Sequence, residues 1–310
     1  MKLALQPCSL LVLAIYFASA QAQAPVADLE YVPPISSPAY TQNSGPVVRI
    51  DEAHHNYHTL DGRYAAFSDL LRRDGFRLES SKSEFSAATL AGANIMVIAN
   101  AEAAQSGEKL ASAFTISEMA AIRHWVEQGG ALLIIADHPP FSDSAAALAQ
   151  TFGFEFESGV ALTATAAGQF GPIAVFETGK GLTPSALSDG RLPAEQVDSV
   201  MTFTGSAFRA PPAATSVLVF QAGARSFPLR PTGPDFTSPG TPIAGLSQGA
   251  ILELGKGRVA VFGEAAMFTA QRGGPNREPM GMNALGARQN YQFVLNLMHW
   301  LSRAKTMRPM

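Results

Sequence analysis

Three of the six histidines in this 310-residue chain fall within five positions, in the run Asp51-Glu52-Ala53-His54-His55-Asn56-Tyr57-His58. A fourth follows an acidic residue in Asp137-His138-Pro139-Pro140. Asn100, with Glu102 two positions on, and Glu264 in Gly263-Glu264 complete a set of polar residues that each come directly after a short apolar run. Two chemistries suit such a set. Imidazoles and carboxylates bind a divalent cation such as Zn²⁺, which acidifies a bound water and polarises a substrate. Alternatively a His paired with Asp or Glu acts as a general base without metal. His54, His58 and His138 are the candidate metal ligands. Asp51, Glu52, His55, Asp137, His138 and Glu264 are the candidate catalytic groups. His54, Asn56, His58, Asn100 and Asn290 are the candidate ligand-binding groups. His54-x-x-x-His58 faces one way only in a helical loop, and the HExxH arrangement of metalloproteases is absent. A P-loop does not occur, and Gly255-Lys256-Gly257 reads as a hairpin turn.

Each residue also has a purely structural reading. Asp51 can cap the following turn, Asp137 can cap the helix that follows it, Glu52 can be solvated, and the histidines can bond backbone and shape their loop. Glu264 can pair with Arg272 or cap the 265–270 segment. Pro139-Pro140 can contain a cis bond. His124 and His299 sit within helical patterns beside Trp125 and Trp300, where packing or surface roles are expected. Asn290 shares a stripe with Phe293 and Leu297 and can reach the polar set from below or satisfy a buried loop.

The elements that must position these groups are legible as an alternation. Val47–Ile50 reads as a strand, and Tyr64, Phe67, Leu70 and Leu71 recur at helical spacing up to Asp74-Gly75. Phe76–Leu78 suggests a second strand, and Ile95–Ile98 is an apolar run typical of a strand buried on both faces. Thr115 with Glu118 is a capping-box pattern opening a helix that Gly129-Gly130 ends. Ala131–Ala136 is another buried strand. Ile251–Leu254 and Val259–Phe262 make a hairpin, and Phe293, Val294, Leu297, Trp300 and Leu301 mark a last helix. This order predicts an α/β fold: a flavodoxin-like open parallel sheet with helices on both faces. The Pro-, Gly-, Thr- and Ser-rich stretch 155–248 predicts a β-rich, loop-rich insertion. Ligands of such sheets sit outside the carboxyl ends of the strands, so all four polar segments are expected on one rim.

The N-terminal segment 1–22 reads as a signal peptide: Lys2, an apolar core Leu10–Phe17, and small-x-small cleavage patterns at Ala18-Ser19-Ala20 and Ala20-Gln21-Ala22. Export to the periplasm or beyond is therefore expected, with an extended leader over 23–46, one α/β domain over 47–304 and a tail over 305–310. The single cysteine, Cys8, lies in the cleaved segment, so the mature chain is expected to lack disulfides, thiolate metal sites and a cysteine nucleophile. A net charge of −3 gives no field for nucleic acid, and no later stretch reaches transmembrane length.

The segments Ile50-Asp51-Glu52-Ala53-His54, Gly62-Arg63-Tyr64, Trp125 through Leu133, and Gly255 through Glu264, followed by Asn290 and Phe293 through Trp300, carry a resemblance. The chain resembles the class I glutamine amidotransferase-like superfamily. Within it, the chain is similar to the exported, little-characterised branch related to gliding-motility transport and intraflagellar-transport domains. The resemblance covers 47–152 and 250–303 and implies a central parallel sheet. It does not imply glutaminase action: the strand end that carries cysteine in true amidotransferases corresponds here to Asp137-His138. Related branches include ligand-binding and scaffolding domains, and some relatives handle carbohydrates. The expectation is an exported small-ligand protein, as a metal-assisted hydrolase of a polar or carbohydrate-derived substrate. The alternative is a non-catalytic ligand-binding module or a scaffold that meets another envelope protein.

Overall fold

The computed structural model describes residues 24–103 and 112–304. The signal-peptide reading, Cys8 and the 305–310 tail lie outside them. Ten strands and four helices carry the architecture of interest. The first parallel strands are β1 (Val47–Asp51), β2 (Arg77–Ser81), β3 (Ile95–Ala99) and β4 (Ala131–Ile135). Helix α1 (Ala65–Arg73) joins β1 to β2, α2 (Ile116–Glu127) joins β3 to β4, and α3 (Phe141–Gln150) follows β4. The chain then passes through β5 (Ala174–Thr178), β6 (Gly181–Leu182), β7 (Ser199–Thr202) and β8 (Thr215–Val219). It closes with β9 (Ser247–Leu254), β10 (Gly257–Phe262) and α4 (Asn290–Ser302).

The principal sheet runs β7-β5-β6-β8-β9-β10-β4-β3-β1-β2. Its half from β10 to β2 is wholly parallel, because β10 pairs β4, β4 pairs β3, β3 pairs β1 and β1 pairs β2 in the same direction. Counted along the chain, these five strands have the order 2-1-3-4-5 of flavodoxin-like sheets, whose switch point falls between β1 and β3. The other half is mainly antiparallel and comes largely from the 155–248 region, which therefore extends the sheet as well as decorating it. The same region forms a separate four-stranded sheet around Val160–Ala164 and Arg225–Phe227.

Both faces of the central parallel strands β3 and β4 are buried, as their unbroken apolar runs require, whereas the edge strand β2 is largely exposed. Alternation divides the side chains. Ile95, Val97, Leu133 and Ile135 pack with Phe67, Leu70, Phe293 and Leu297 of α1 and α4. Met96, Ile98, Leu132 and Ile134 pack with Ile122, Val126 and Leu148 of α2 and α3. The Thr115–Glu118 capping box forms as expected: the Thr115 hydroxyl accepts the Glu118 N–H, and the Glu118 carboxylate accepts the Thr115 N–H. Segment 24–45 runs over the surface; Ala39 N–H reaches Asp74 and Tyr40 packs on Phe76. Among the described residues no helix is long and apolar enough to cross a membrane.

Candidate functional site

The carboxyl ends of β1, β3, β4 and β10 release the four polar segments at one end of the sheet, and backbone bonds tie them together. Tyr57 N–H donates to Asn100 O, Asn100 N–H to Ile135 O, and Ala136 N–H to Phe262 O. The Asn100 side-chain oxygen accepts Asp137 N–H at 2.9 Å. Asn100 adopts a left-handed conformation (φ +50°), as does His55. These are uncommon conformations for side chains of that size, and they mark the loops as shaped by their surroundings. A further segment closes the rim from the insertion. Ser206 N–H donates to Gly263 O and its hydroxyl to Ala136 O. Gly205 (φ +102°) and Gly263 permit this approach, since a Cβ on either would collide with the facing backbone.

His54 proves to be the centre of a buried ion cluster. Its Nδ1 lies 2.8 Å from Asp51 Oδ2, its Nε2 lies 2.8 Å from Glu118 Oε1, and its ring is held between Phe85 and Phe114. A carboxylate on each nitrogen calls for a proton on each. Burial alone would lower the imidazole pKa, but hydrogen bonding and charge from Asp51 and then Glu118 outweigh it and raise the value. For Glu118, burial acts upward; the Thr115 and Phe85 N–H groups, His54 and the Thr115 hydroxyl overcome it and hold the carboxyl down at about 2. Asp51 and His54 thus brace the loop after β1 against α2. Glu118 had shown itself in the sequence only as a helix cap, because its partner lies 64 residues away.

The remaining expected residues divide in two. Glu52 accepts Leu60 N–H and stands 3.9 Å from Lys82 Nζ, so it orders its own loop. Asn290 is clamped to β7, accepting Met201 N–H and donating to Met201 O, so it does not serve the rim. His55 is exposed. The proposed His54, His58 and His138 metal set is not assembled. His54 has both nitrogens on carboxylates, His138 Nδ1 meets Pro139 O at 2.9 Å, and no group of three or more His, Cys, Asp or Glu side chains suited to a metal occurs among the described residues. The Pro139–Pro140 bond is cis.

Asp137, Glu264, His58 and Asn100 do come together around Tyr64, while the Asn56 side-chain oxygen accepts His54 N–H. Glu264 is buried at the end of β10, while Asp137 beside it is partly open to solvent. Desolvation first, and then the charge of Asp137, push the Glu264 carboxyl well above its usual value, against the opposing Met267, Ala266 and Ala265 N–H groups. Burial and then the charges of Glu264 and Asp137 likewise push the Tyr64 phenol up. The His58 ring packs on Tyr64 at 4.5 Å. Burial, then the Arg63 guanidinium, lowers the His58 pKa to about 3, so its imidazole is neutral near neutral pH. Glu264 also performs the capping expected of it, accepting Ala266 and Met267 N–H at 2.7 and 2.8 Å; Arg272 instead pairs with Asp28.

Four of the nine buried side-chain polar atoms that lack a protein partner among the described residues belong to these segments: Asn56 Nδ2, His58 Nδ1, Arg63 Nε and Ser142 Oγ. Each costs about 1–3 kcal/mol unless water or a ligand meets it, so their accumulation in these segments needs an explanation. Around them the half-exposed His138, Phe141 and Tyr57 form a polar and aromatic border; Tyr57 packs against Phe141 at 5.5 Å, and Arg63 lies 3.5 Å over the Tyr57 ring. Arg63 and Ser142 were not singled out as site residues in the sequence. Arg63 was visible only within Gly62-Arg63-Tyr64, and Ser142 carried no signal.

The strand order and the rim define an α/β protein of the open, flavodoxin-like type. Its fold is related to that of the structure described as the mmIFT52 N-terminal domain, with 16% identity, a TM-score of 0.58, and coverage of 82% of this chain and 97% of that one. The chain is also similar to cytoplasmic protein STM3548 from Salmonella typhimurium (13% identity, TM-score 0.49, 83% and 99% covered). A third likeness is to a β-galactosidase from Bacillus circulans sp. alkalophilus (10% identity, TM-score 0.43, 86% and 32% covered). These likenesses are of fold alone. No protein-family model matches the chain, and no curated protein sequence is similar to it.

Proposed function

We propose that the rim binds a small polar, carbohydrate-derived molecule and that Asp137 and Glu264 act on it as a base and acid pair in a hydrolysis that needs no metal. The observation that carries this reading is the buried Glu264 carboxyl, its pKa raised by desolvation and by the charge of the partly exposed Asp137, at a rim whose loops also hold the unpartnered Asn56 Nδ2 and Arg63 Nε. A carboxyl whose pKa is raised by burial and by a neighbouring charge is the kind of group that general acid catalysis uses. Asn56 Nδ2 and Arg63 Nε are donors suited to sugar hydroxyls or an acidic sugar, Ser142 Oγ can donate or accept, and Tyr57 supplies an aromatic face. His58, neutral at working pH, orients the bound molecule, and Asn100 holds Asp137. The amidotransferase-like ancestry and export to the periplasm belong to the same reading, supported by the motif resemblance and by the N-terminal segment.

A second reading is binding without turnover. It is favoured by the two backbone N–H groups that already occupy the Glu264 oxygens. A panel of aryl glycosides, sugar lactones and acetylated sugars, assayed with wild type, Asp137→Asn and Glu264→Gln, separates the two. Turnover of one class that Asp137→Asn reduces by about 10²-fold or more supports catalysis. Binding of a sugar with no turnover in any protein supports the second reading, and neither binding nor turnover across the panel refutes both.

A further inference from the structure

At the end of the sheet opposite the rim, where β10 begins and α4 finishes, lies a cavity of about 270 Å³ lined in part by Arg191, Arg258, Arg303, Asn296, His299 and Trp300. We propose that this cavity is a binding site for a small oxyanion, independent of whatever the rim does.

Three arginines line the cavity, two of them paired with a carboxylate. Arg191 is satisfied by Glu195 at 2.5 Å, a nearly buried pair, and Arg258 by Glu253 at 2.9 Å. No carboxylate of the described residues pairs with Arg303, which donates only to Lys256 O among them. Basic residues at a helix C-terminus ordinarily serve the last carbonyls, and Arg258 does so by donating to Trp300 O. His299 O accepts the Ser302 hydroxyl and the Arg303 and Ala304 N–H groups. The helix end is thus already capped, and Arg303 stands beside the open volume with no carboxylate partner among the described residues.

An independent observation points to a ligand. His299 is buried, and its Nε2 sits 2.7 Å from Asp74 Oδ2, which orients the ring. Its other nitrogen, Nδ1, is buried with no partner. His299 lines this cavity and also a smaller one beneath the leader residues Ile35–Ser37. An oxyanion that also carries a hydroxyl, such as hydrogen phosphate or a hydroxy acid, can meet both the guanidinium donors and an imidazole nitrogen of either protonation. Arginine is the side chain whose planar fork matches phosphate and carboxylate oxygens. The Trp300 indole, with the Arg258 guanidinium 4.9 Å over its ring, forms a wall that reports on occupancy.

Only Trp125 and Trp300 are present, so Trp125→Phe leaves a protein whose tryptophan emission comes from the cavity alone. Titrating the full mature Trp125→Phe protein with sodium phosphate, sodium lactate or sodium chloride at matched ionic strength reads the site. A saturable change with phosphate or lactate and none with chloride is expected, and which of the two saturates tells phosphate-bearing from carboxylate-bearing ligands. Adding Arg303→Gln, an exposed position, weakens the same titration about tenfold, whereas Arg63→Gln at the rim leaves it unchanged. No saturable response to either oxyanion, an equal response to chloride, or full affinity in the Arg303→Gln protein overturns the proposal.

Discussion

His54 is the residue through which the chemistry of the first polar segment is best understood. It stands between two carboxylates inside an aromatic sleeve, which makes it a brace instead of a ligand or base. Its folded pKa lies above the unfolded 6.5, so its contribution to stability is complete below about 6.5 and is lost as pH rises through the folded value. Glu118 works in the other direction. Held at about 2 against an ordinary 4.5, it contributes fully above about 4.5 and loses that contribution as pH falls toward about 2. The urea midpoint is therefore expected to be highest between about pH 4.5 and 6.5. His54→Gln is expected to cost about 3–5 kcal/mol at pH 6, since it leaves two buried carboxylates facing each other, and to flatten the alkaline side of the profile. An unchanged pH profile in that variant would remove the brace from the account. At the rim, the protonated-carboxyl infrared band of Glu264 is expected to titrate above the ordinary carboxylate range. It should vanish in Glu264→Gln, and in Asp137→Asn it should titrate away at lower pH, because the neighbouring charge is gone.

At the scale of elements, the α2 N-terminus does two jobs with one residue. Thr115→Ala removes a cap and should cost about 1 kcal/mol in urea unfolding. Glu118→Ala removes the cap together with the His54 and Phe85 bonds, and should cost several times as much. A double-mutant cycle between His54 and Glu118 should show coupling, while Thr115 with Asn290, far apart in the fold, should be additive. What the sequence disclosed and what it concealed follow from the same distinction. Ile95–Ile98 and Ala131–Ala136 announced buried strands because both faces are covered, and Thr115 with Glu118 announced a helix start because capping is local. The polar residues after those strands came together because parallel strands leave no other arrangement. Pairings that span the chain left no local trace: Glu118 with His54, Asp74 with His299, and Asn290 with Met201. The histidine spacing suggested a metal for the same reason, since nothing near His54 in sequence reveals that Glu118 will take its second nitrogen.

For the whole molecule, the division of labour runs along the principal sheet. The parallel half carries two layered cores and the rim, whereas the small four-stranded sheet has a core of only Val160, Leu162 and Phe227, with Phe170 against it. Little apolar burial means a low free energy of local opening. Amides of Val160–Ala164 and Arg225–Phe227 should therefore exchange well before those of Ile95–Ala99 and Ala131–Ile135 in native-state hydrogen exchange. Equal protection across the two regions would mean that the insertion and the parallel sheet unfold as one unit.

The claim on which the function rests is that the carboxyl-end rim, with its unpartnered buried polar atoms, receives a small polar molecule. The most direct measurement is an NMR titration of the isotope-labelled protein with neutral and acidic monosaccharides, following the Asn56 side-chain amide, the His58 ring and the Asp137 and His138 backbone. Binding at the rim moves these signals together along one saturation curve for at least one sugar class. Signals that stay fixed throughout, or that move only at residues far from Asn56 and Asp137, would contradict it.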